Sequence, residues 1–336
     1  MNSVYPLISI LVPVYGVEKY IERCARSLFE QTYPNLEFVF VDDASPDKSV
    51  EILKLVITDY PKWKESINII HHDKNLGLAA VRNTLVDNCN GEFLVHVDSD
   101  DWLEPNAIEL LVKKQIETGA DIVTGLFYRH TLHEGHEKIV KVTSPLKGEN
   151  REETLKAMLE YGSVVATWNR LIRRSLYFDY NIRCIEGIDA GEDVLITPRL
   201  VYYSRKVTTC NAFTYHYNQC NSNSYVNNLP YNWDMQHQLI QATLMNVDYF
   251  KDKETFLYEA MNKQLAIRLK KMLELTYKNH NRHGYNTVLA MLDETDQKYW
   301  PLIGWDKPRK RWLDHYYFFK HLSFLLRRIL HIMKDS

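Results

Sequence analysis

Five short apolar runs, at residues 7–14, 36–41, 67–71, 93–97 and 121–124, alternate with stretches whose apolar residues recur at helical spacing. The runs are mostly continuous, the mark of strands buried on both faces. Between them Ile21, Cys24, Ala25 and Leu28 share one helical face, as do Leu78, Val81 and Leu85, and then Ile108, Leu111 and Val112. Strands separated by helices of this length need right-handed crossovers, so the spacing predicts an α/β fold with a mainly parallel sheet flanked by helices. Beyond residue 125 the pattern weakens. It predicts a hairpin over 127–142 turning at His133 to His136, helices over 151–161 and 190–203, a strand over 206–217, and one or two long helices over 231–277. A chain of 336 residues with 45% hydrophobic content can bury a core of this size.

The chemistry gathers where these strands should end. Asp98, Asp100 and Asp101 follow the fourth apolar run directly. Carboxyl ends of strands are where open α/β sheets bind ligands, and hard cations such as Mg²⁺ or Mn²⁺ choose carboxylate oxygens while leaving positions for a substrate's phosphates. Asp101 has a second use open to it, as cap of a helix starting near Trp102. Asp42 and Asp43 close the second run, placed to accept a pyrimidine N3–H or bind ribose hydroxyls, and capping ahead of Pro46 and Asp47 is the alternative for Asp43. The segment from Asn75 through Gly77 to Arg82 sets a glycine loop at a helix start with a cation one turn in. Its N–H groups and guanidinium suit a diphosphate.

Net charge is -2 with both signs dispersed, which gives no field for nucleic acid. Five widely spaced cysteines without a Cys-x-x-Cys fit reduced thiols. The strand at residue 7 has no charged leader or cleavage site before it, and no stretch reaches roughly 18 uninterrupted apolar residues, so a cytoplasmic location is expected. Residues 307–334 stand apart. Leu322, Leu325, Leu326, Ile329 and Met333 make one helical stripe, with Lys320, Arg327, His331 and Lys334 opposite. A basic, aromatic amphipathic helix suits an anionic membrane surface, with docking on the core or on a second copy of the chain, in a homo-oligomer, as the other use.

These residues together resemble glycosyltransferase family 2, of the GT-A fold, over the first 105 positions. The resemblance runs through Ile10-Leu11-Val12-Pro13-Val14-Tyr15, Gln31-Thr32-Tyr33-Pro34-Asn35, Val41-Asp42-Asp43-Ala44-Ser45-Pro46-Asp47, Asn75-Leu76-Gly77 with Arg82-Asn83, and Asp98-Ser99-Asp100-Asp101. It implies that the main chain near Pro13 and Tyr15 holds a nucleobase, that Asp42 pairs with it, and that Asn75 and Arg82 lie by the nucleotide. It also implies that Asp98 contacts ribose or metal and that Asp100 ligates the cation bridging the diphosphate. Gly16, Ala44 and Pro46 depart from the family's usual Asn, Gly and Thr, which leaves the identity of the base open.

The resemblance is fainter later. Trp168-Asn169-Arg170-Leu171-Ile172-Arg173 is similar to the family's Trp-x-Lys-Leu-x-Arg segment, and Gly191-Glu192-Asp193 to a Glu-Asp pair opening a helix. In inverting members the aspartate of that pair, here Asp193, is the general base. A carboxylate opposite the leaving diphosphate must take the acceptor hydroxyl's proton as attack proceeds. Glu192 and Asp193 also satisfy the ordinary preference for acids at a helix start. Trp168 either stacks on a sugar or packs, Glu192 is a candidate acceptor contact, and His216 is either a further metal or phosphate contact or structural.

The organisation this implies is a nucleotide-sugar half at 1–125, an acceptor half at 126–225 and a helical region at 226–336. The implied reaction is inverting, Mn²⁺- or Mg²⁺-dependent transfer of a sugar, UDP-linked by preference, to a hydroxyl of a glycan or polyprenyl-linked glycan. A non-catalytic sugar-nucleotide binder is the alternative. Nucleotidyl transfer to a sugar phosphate fits less well, because it wants a basic, Gly-rich loop after the first strand and Val14-Tyr15-Gly16-Val17-Glu18 is not one.

Overall fold

The computed structural model describes residues 5–143, 151–160, 165–221, 232–278 and 281–293. Four parallel strands carry the first part: β1 (Ile8–Val14), β2 (Leu36–Asp42), β3 (Ile67–His71) and β4 (Phe93–His96), in the order β3-β2-β1-β4. They pair as Ile8 with Leu36 and Phe93, and Phe38 with Ile67. The helices between them are α1 (Ile21–Phe29), α2 (Ser49–Thr58) and α3 (Leu78–Asp87). Helix α1 shows why they dock: Ile21, Cys24, Ala25, Leu28 and Phe29 are all buried, and each large apolar side chain so buried is worth about 1.5–3 kcal/mol.

After β4 the sheet becomes mixed. A two-residue strand β5 (Trp102–Leu103) precedes α4 (Ala107–Thr118), β6 (Ile122–His133), β7 (His136–Val142) and α5 (Arg151–Glu160). Then come β8 (Arg170–Arg173), α6 (Ser175–Asp179), α7 (Glu192–Tyr203), β9 (Val207–Asn218) and α8 (Trp233–Phe250). The sheet continues β4-β8-β6-β9-β5, with β7 paired to β6 as the outer arm of the hairpin. Strand β6 lies parallel to β9 and antiparallel to β8, and β4 is antiparallel to β8.

Two expectations are corrected here. The strand at 121–124 and the first arm of the hairpin are one 12-residue strand. Gly125 disguised this, since it reads as a break but sits where the β6–β9 register slips and where a Cβ would come within 2.0 Å of Thr214 Oγ1. The division expected at 125–126 therefore falls inside β6. The helix expected near Trp102 begins only at Ala107, because Trp102 and Leu103 pair with His216 and Tyr215 of β9.

The chain divides into two compact units, Met1–Tyr249 and Phe250–Ser336. In the second, α9 (Thr255–Lys278) and α10 (Arg282–Asp293) pack on each other. Residues 307–334, with the expected basic helix, lie outside the described residues. Among the described residues no helix is long and apolar enough to cross a membrane.

Asp121, 2% exposed, locks β6 to its neighbours. Its carboxylate accepts Arg173 Nε at 2.8 Å, Arg205 Nη2 at 3.0 Å and the Arg205 backbone N–H at 2.9 Å. Burial works against the charge, but the hydrogen bonds from Arg205 and Arg173 outweigh it and hold the pKa below the ordinary 3.8. A depressed carboxylate contributes stability that is present above its unfolded pKa and lost as pH falls through its folded one. Asp121→Ala takes the acceptor away from the donors of Arg173 and Arg205, so urea denaturation at pH 7 should show a loss of about 1–3 kcal/mol. That gap should narrow as the pH is taken below 4.

Candidate active site

The loop after β4 is fastened from β9. Asp98 N–H donates to Tyr215 Oη at 3.2 Å, Tyr215 donates that hydroxyl to Asp101 Oδ2 at 2.7 Å, and Asn218 N–H reaches Asp101 Oδ1 at 2.7 Å. Asp101 is 1% exposed and caps no helix; it is the buried anchor of the loop. Asn221 donates to Asp100 Oδ2 at 2.8 Å, and Asn218 Nδ2 to the Asp100 carbonyl at 3.1 Å. Burial first, and the neighbouring Asp98 second, push Asp100 up to about 6. Crowded carboxylates that resist ionisation are what a divalent cation relieves. Among the described residues no three His, Cys, Asp or Glu side chains are grouped to hold a metal ion. Asp98 and Asp100 thus fit a cation only as a partial, all-oxygen set that a ligand's oxygens complete.

On the other side of β1, Pro13 lies in register with Val41, and Tyr15 follows the strand at 50% exposure. Asp42 ends β2; its Oδ1 accepts Ser45 N–H at 2.9 Å and its Oδ2 accepts His71 Nδ1–H at 2.9 Å. The loops meet through Gly16 N–H to Ser45 Oγ, 2.9 Å, and Glu18 N–H to Asp47 Oδ2, 2.9 Å. Asp43 does not cap the helix that follows Pro46 and Asp47. It accepts Leu76 N–H and Gly77 N–H, both at 2.9 Å, and His72 Nδ1–H at 2.7 Å, so it clamps the Asn75–Gly77 loop. The acid ahead of α2 is Asp47, which accepts Ser49 N–H at 3.1 Å.

Those bonds revise the expected diphosphate cradle, because the loop's N–H groups are taken by carboxylates. Leu76 and Gly77 give theirs to Asp43, and Ala79 gives its own to Asp189 Oδ1 at 2.8 Å. Arg82 likewise turns inward. It is 2% exposed, with Nη2 2.6 Å from Asp98 Oδ1 and 3.7 Å from Glu192 Oε1. Burial opposes its charge, but Asp98 and Glu192 prevail and raise its pKa. Its Nε and Nη1 are buried without hydrogen-bond partners among the described residues.

Glu192 and Asp193 form the first turn of α7, behind Gly191. Burial, reinforced by Asp193, raises Glu192 to about 8. Asp193 Oδ1 accepts Val194 N–H at 2.6 Å. Its charge also supports buried Arg170, which burial lowers to about 10. The contact between Arg82 and Glu192 sets this turn beside the Asp98 loop.

Two candidates are placed otherwise. Trp168 is 8% exposed and stacked on Tyr215 and Tyr217, each at 4.8 Å, with Phe127 at its edge, so it packs in the core instead of offering a face to sugar. His216 has both ring nitrogens engaged, Nε2 with Glu104 Oε1 and Nδ1 with His130 Nε2, each at 2.9 Å, and its ring stacks on Trp102. Neither nitrogen is left for a metal or phosphate. Residues the sequence did not single out include Tyr215, Asn218 and Asn221, which hold the acidic loop, and Asp189. Their signal is tertiary: nothing in local spacing says that β9 returns beside Asp101.

The glycosyl transferase family 2 model matches residues 9–179. Glycosyltransferase GlyA of Streptococcus pneumoniae is 33% identical over 221 residues, covering 62% of this chain and 30% of GlyA. Among solved structures, S. aureus TarS 1–349 in complex with UDP-GlcNAc aligns with a TM-score of 0.64 at 19% identity, covering 87% of this chain and 82% of that one. The mannosyltransferase PcManGT of Pyrobaculum calidifontis, in complex with GDP-Man and Mn²⁺, aligns with a TM-score of 0.52 at 14% identity, covering 92% and 84%.

Proposed function

The chain belongs to glycosyl transferase family 2 and has the GT-A fold, and from this we propose that it is an inverting, metal-dependent glycosyltransferase using a UDP-sugar. The observation that carries the reading is Arg82, which joins Asp98 of the acidic loop to Glu192 at the head of α7 and so sets a donor-side carboxylate beside the acceptor-side pair. Pro13, Tyr15 and Asp42 surround the base, Asn75 borders the nucleotide, and Asp98 and Asp100 hold Mn²⁺ or Mg²⁺. When bound, that cation neutralises charge on the departing diphosphate. Asp193 accepts the proton of the acceptor hydroxyl as its oxygen bonds to the anomeric carbon and the bond from that carbon to the diphosphate oxygen breaks. Glu192, kept beside Arg82, contacts the acceptor.

Support for the donor class comes from TarS and PcManGT, whose complexes hold UDP-GlcNAc and GDP-Man; the uracil preference rests on Asp42, which can accept an N3–H. The acceptor is a hydroxyl of a glycan or polyprenyl-linked glycan at the cytoplasmic face of a membrane, a reading supported by the basic amphipathic pattern of residues 307–334. The assay is nucleoside diphosphate release from UDP-, GDP-, CDP- and dTDP-sugars with Mn²⁺ and saccharide acceptors. UDP release is expected. GDP release instead would overturn the base assignment, and release from none would return the chain to the non-catalytic reading.

A further inference from the structure

The start of α3 is engaged along its length by one short segment ahead of α7. Asp189 Oδ1 accepts Ala79 N–H at 2.8 Å. Asn83 and Cys184 exchange two hydrogen bonds, Nδ2 to the Cys184 carbonyl at 3.0 Å and the Cys184 N–H to Oδ1 at 2.8 Å. Arg82 reaches Glu192 at 3.7 Å. Gly77, with φ +91°, is shaped for this contact: a Cβ there would lie 2.4 Å from Asp189 Oδ2 and 2.8 Å from its Cγ. The segment is also held from behind, since Gln238 Oε1 accepts the N–H groups of Asp189 and Ala190 at 3.0 and 2.9 Å. Gly191 lies against Leu239, where a Cβ would come within 3.1 Å of Cδ1.

We infer that Asp189 is a positioning residue for transfer: its carboxylate, seated on the N-terminus of α3, fixes the short arm that carries Glu192 and Asp193 and so sets where the base stands relative to the donor. The loop read from sequence as a phosphate cradle thereby becomes the clasp that aligns the two halves of the site. The inference rests on Asp193 being the base. Its physical logic is that only three residues, Ala190, Gly191 and Glu192, separate Asp189 from Asp193, so an arm released at Asp189 would move the base. The carboxylate stays in place although burial and the nearby Asp43 both raise its pKa, a local conflict of the kind kept at functional sites.

The test uses the full chain with Asp189→Ala, Asp189→Asn, Gly77→Ala and Asp193→Asn. UDP binding with Mn²⁺ is measured by calorimetry, and turnover on a panel of UDP-hexoses and UDP-N-acetylhexosamines. For Asp189→Ala, kcat should fall by about 10²-fold, the scale of an ångström of misplacement, with UDP affinity within twofold of the parent. Gly77→Ala should behave the same way. Asp189→Asn should stay within about fivefold of the parent kcat, because its amide oxygen still accepts Ala79 N–H. Parent-like kcat in Asp189→Ala, with Asp193→Asn inactive, overturns the clasp and leaves the base assignment standing. Parent-like kcat in Asp193→Asn overturns the assignment beneath it. Equal loss in the Ala and Asn variants of Asp189, with UDP binding also lost, reduces Asp189 to a structural residue and overturns the inference.

Discussion

Asp193→Asn should lower sugar transfer by about 10²–10⁴-fold, the usual worth of a positioned general base, while nucleotide binding persists. The amide keeps the volume of the side chain and can still accept Val194 N–H, so the first turn of α7 keeps its geometry. What is lost is the ability to take a proton from a hydroxyl whose own pKa is far above neutral. The companion change Glu192→Gln should cost less. Burial and Asp193 already favour the protonated form of Glu192 near neutral pH, so a neutral amide resembles the group it replaces. If Asp193→Asn transfers sugar at the parent rate and Glu192→Gln does not, the base is Glu192 and the roles of the pair are exchanged.

The parallel half of the fold was legible because its strands are continuous apolar runs and its helices carry one apolar face, both of which are local properties. The end of β2 and the end of β4 were legible for the same reason: a run of Val and Phe stops and carboxylates begin. What those carboxylates do was only partly legible. Asp42 and Asp43 look equivalent in sequence, yet Asp42 is held by Ser45 and His71 whereas Asp43 clamps the glycine loop through Leu76 and Gly77, partners more than thirty residues away. Asp98, Asp100 and Asp101 also look equivalent, and the return of β9 separates them by burying Asp101 against Tyr215 and Asn218. The glycine loop at Gly77 misled because a helix start suits any anion: a phosphate and the Asp189 carboxylate make the same demand on Ala79 N–H. Trp168 was ambiguous for want of the two tyrosines, 47 and 49 positions further on, that cover it.

Asp100 separates a metal-assisted donor site from a cluster of acids that only holds a loop. With Asp98 and Asp100 as the two carboxylates proposed to hold the cation, removing one should abolish metal-dependent nucleotide binding, whereas the unliganded fold should change little. Asp100→Ala loses the Asn221 hydrogen bond but also relieves the repulsion from Asp98, and these effects oppose each other. A ligand selective for the native state adds about 2.7 kcal/mol at a hundredfold excess over its Kd. The deciding measurement is the thermal unfolding of parent and Asp100→Ala with saturating UDP, in Mn²⁺ and in EDTA. Stabilisation of that size is expected in the parent with Mn²⁺, none in EDTA, and none in Asp100→Ala under either condition. Equal stabilisation of parent and variant by UDP with Mn²⁺ would mean that Asp100 holds no metal for the nucleotide.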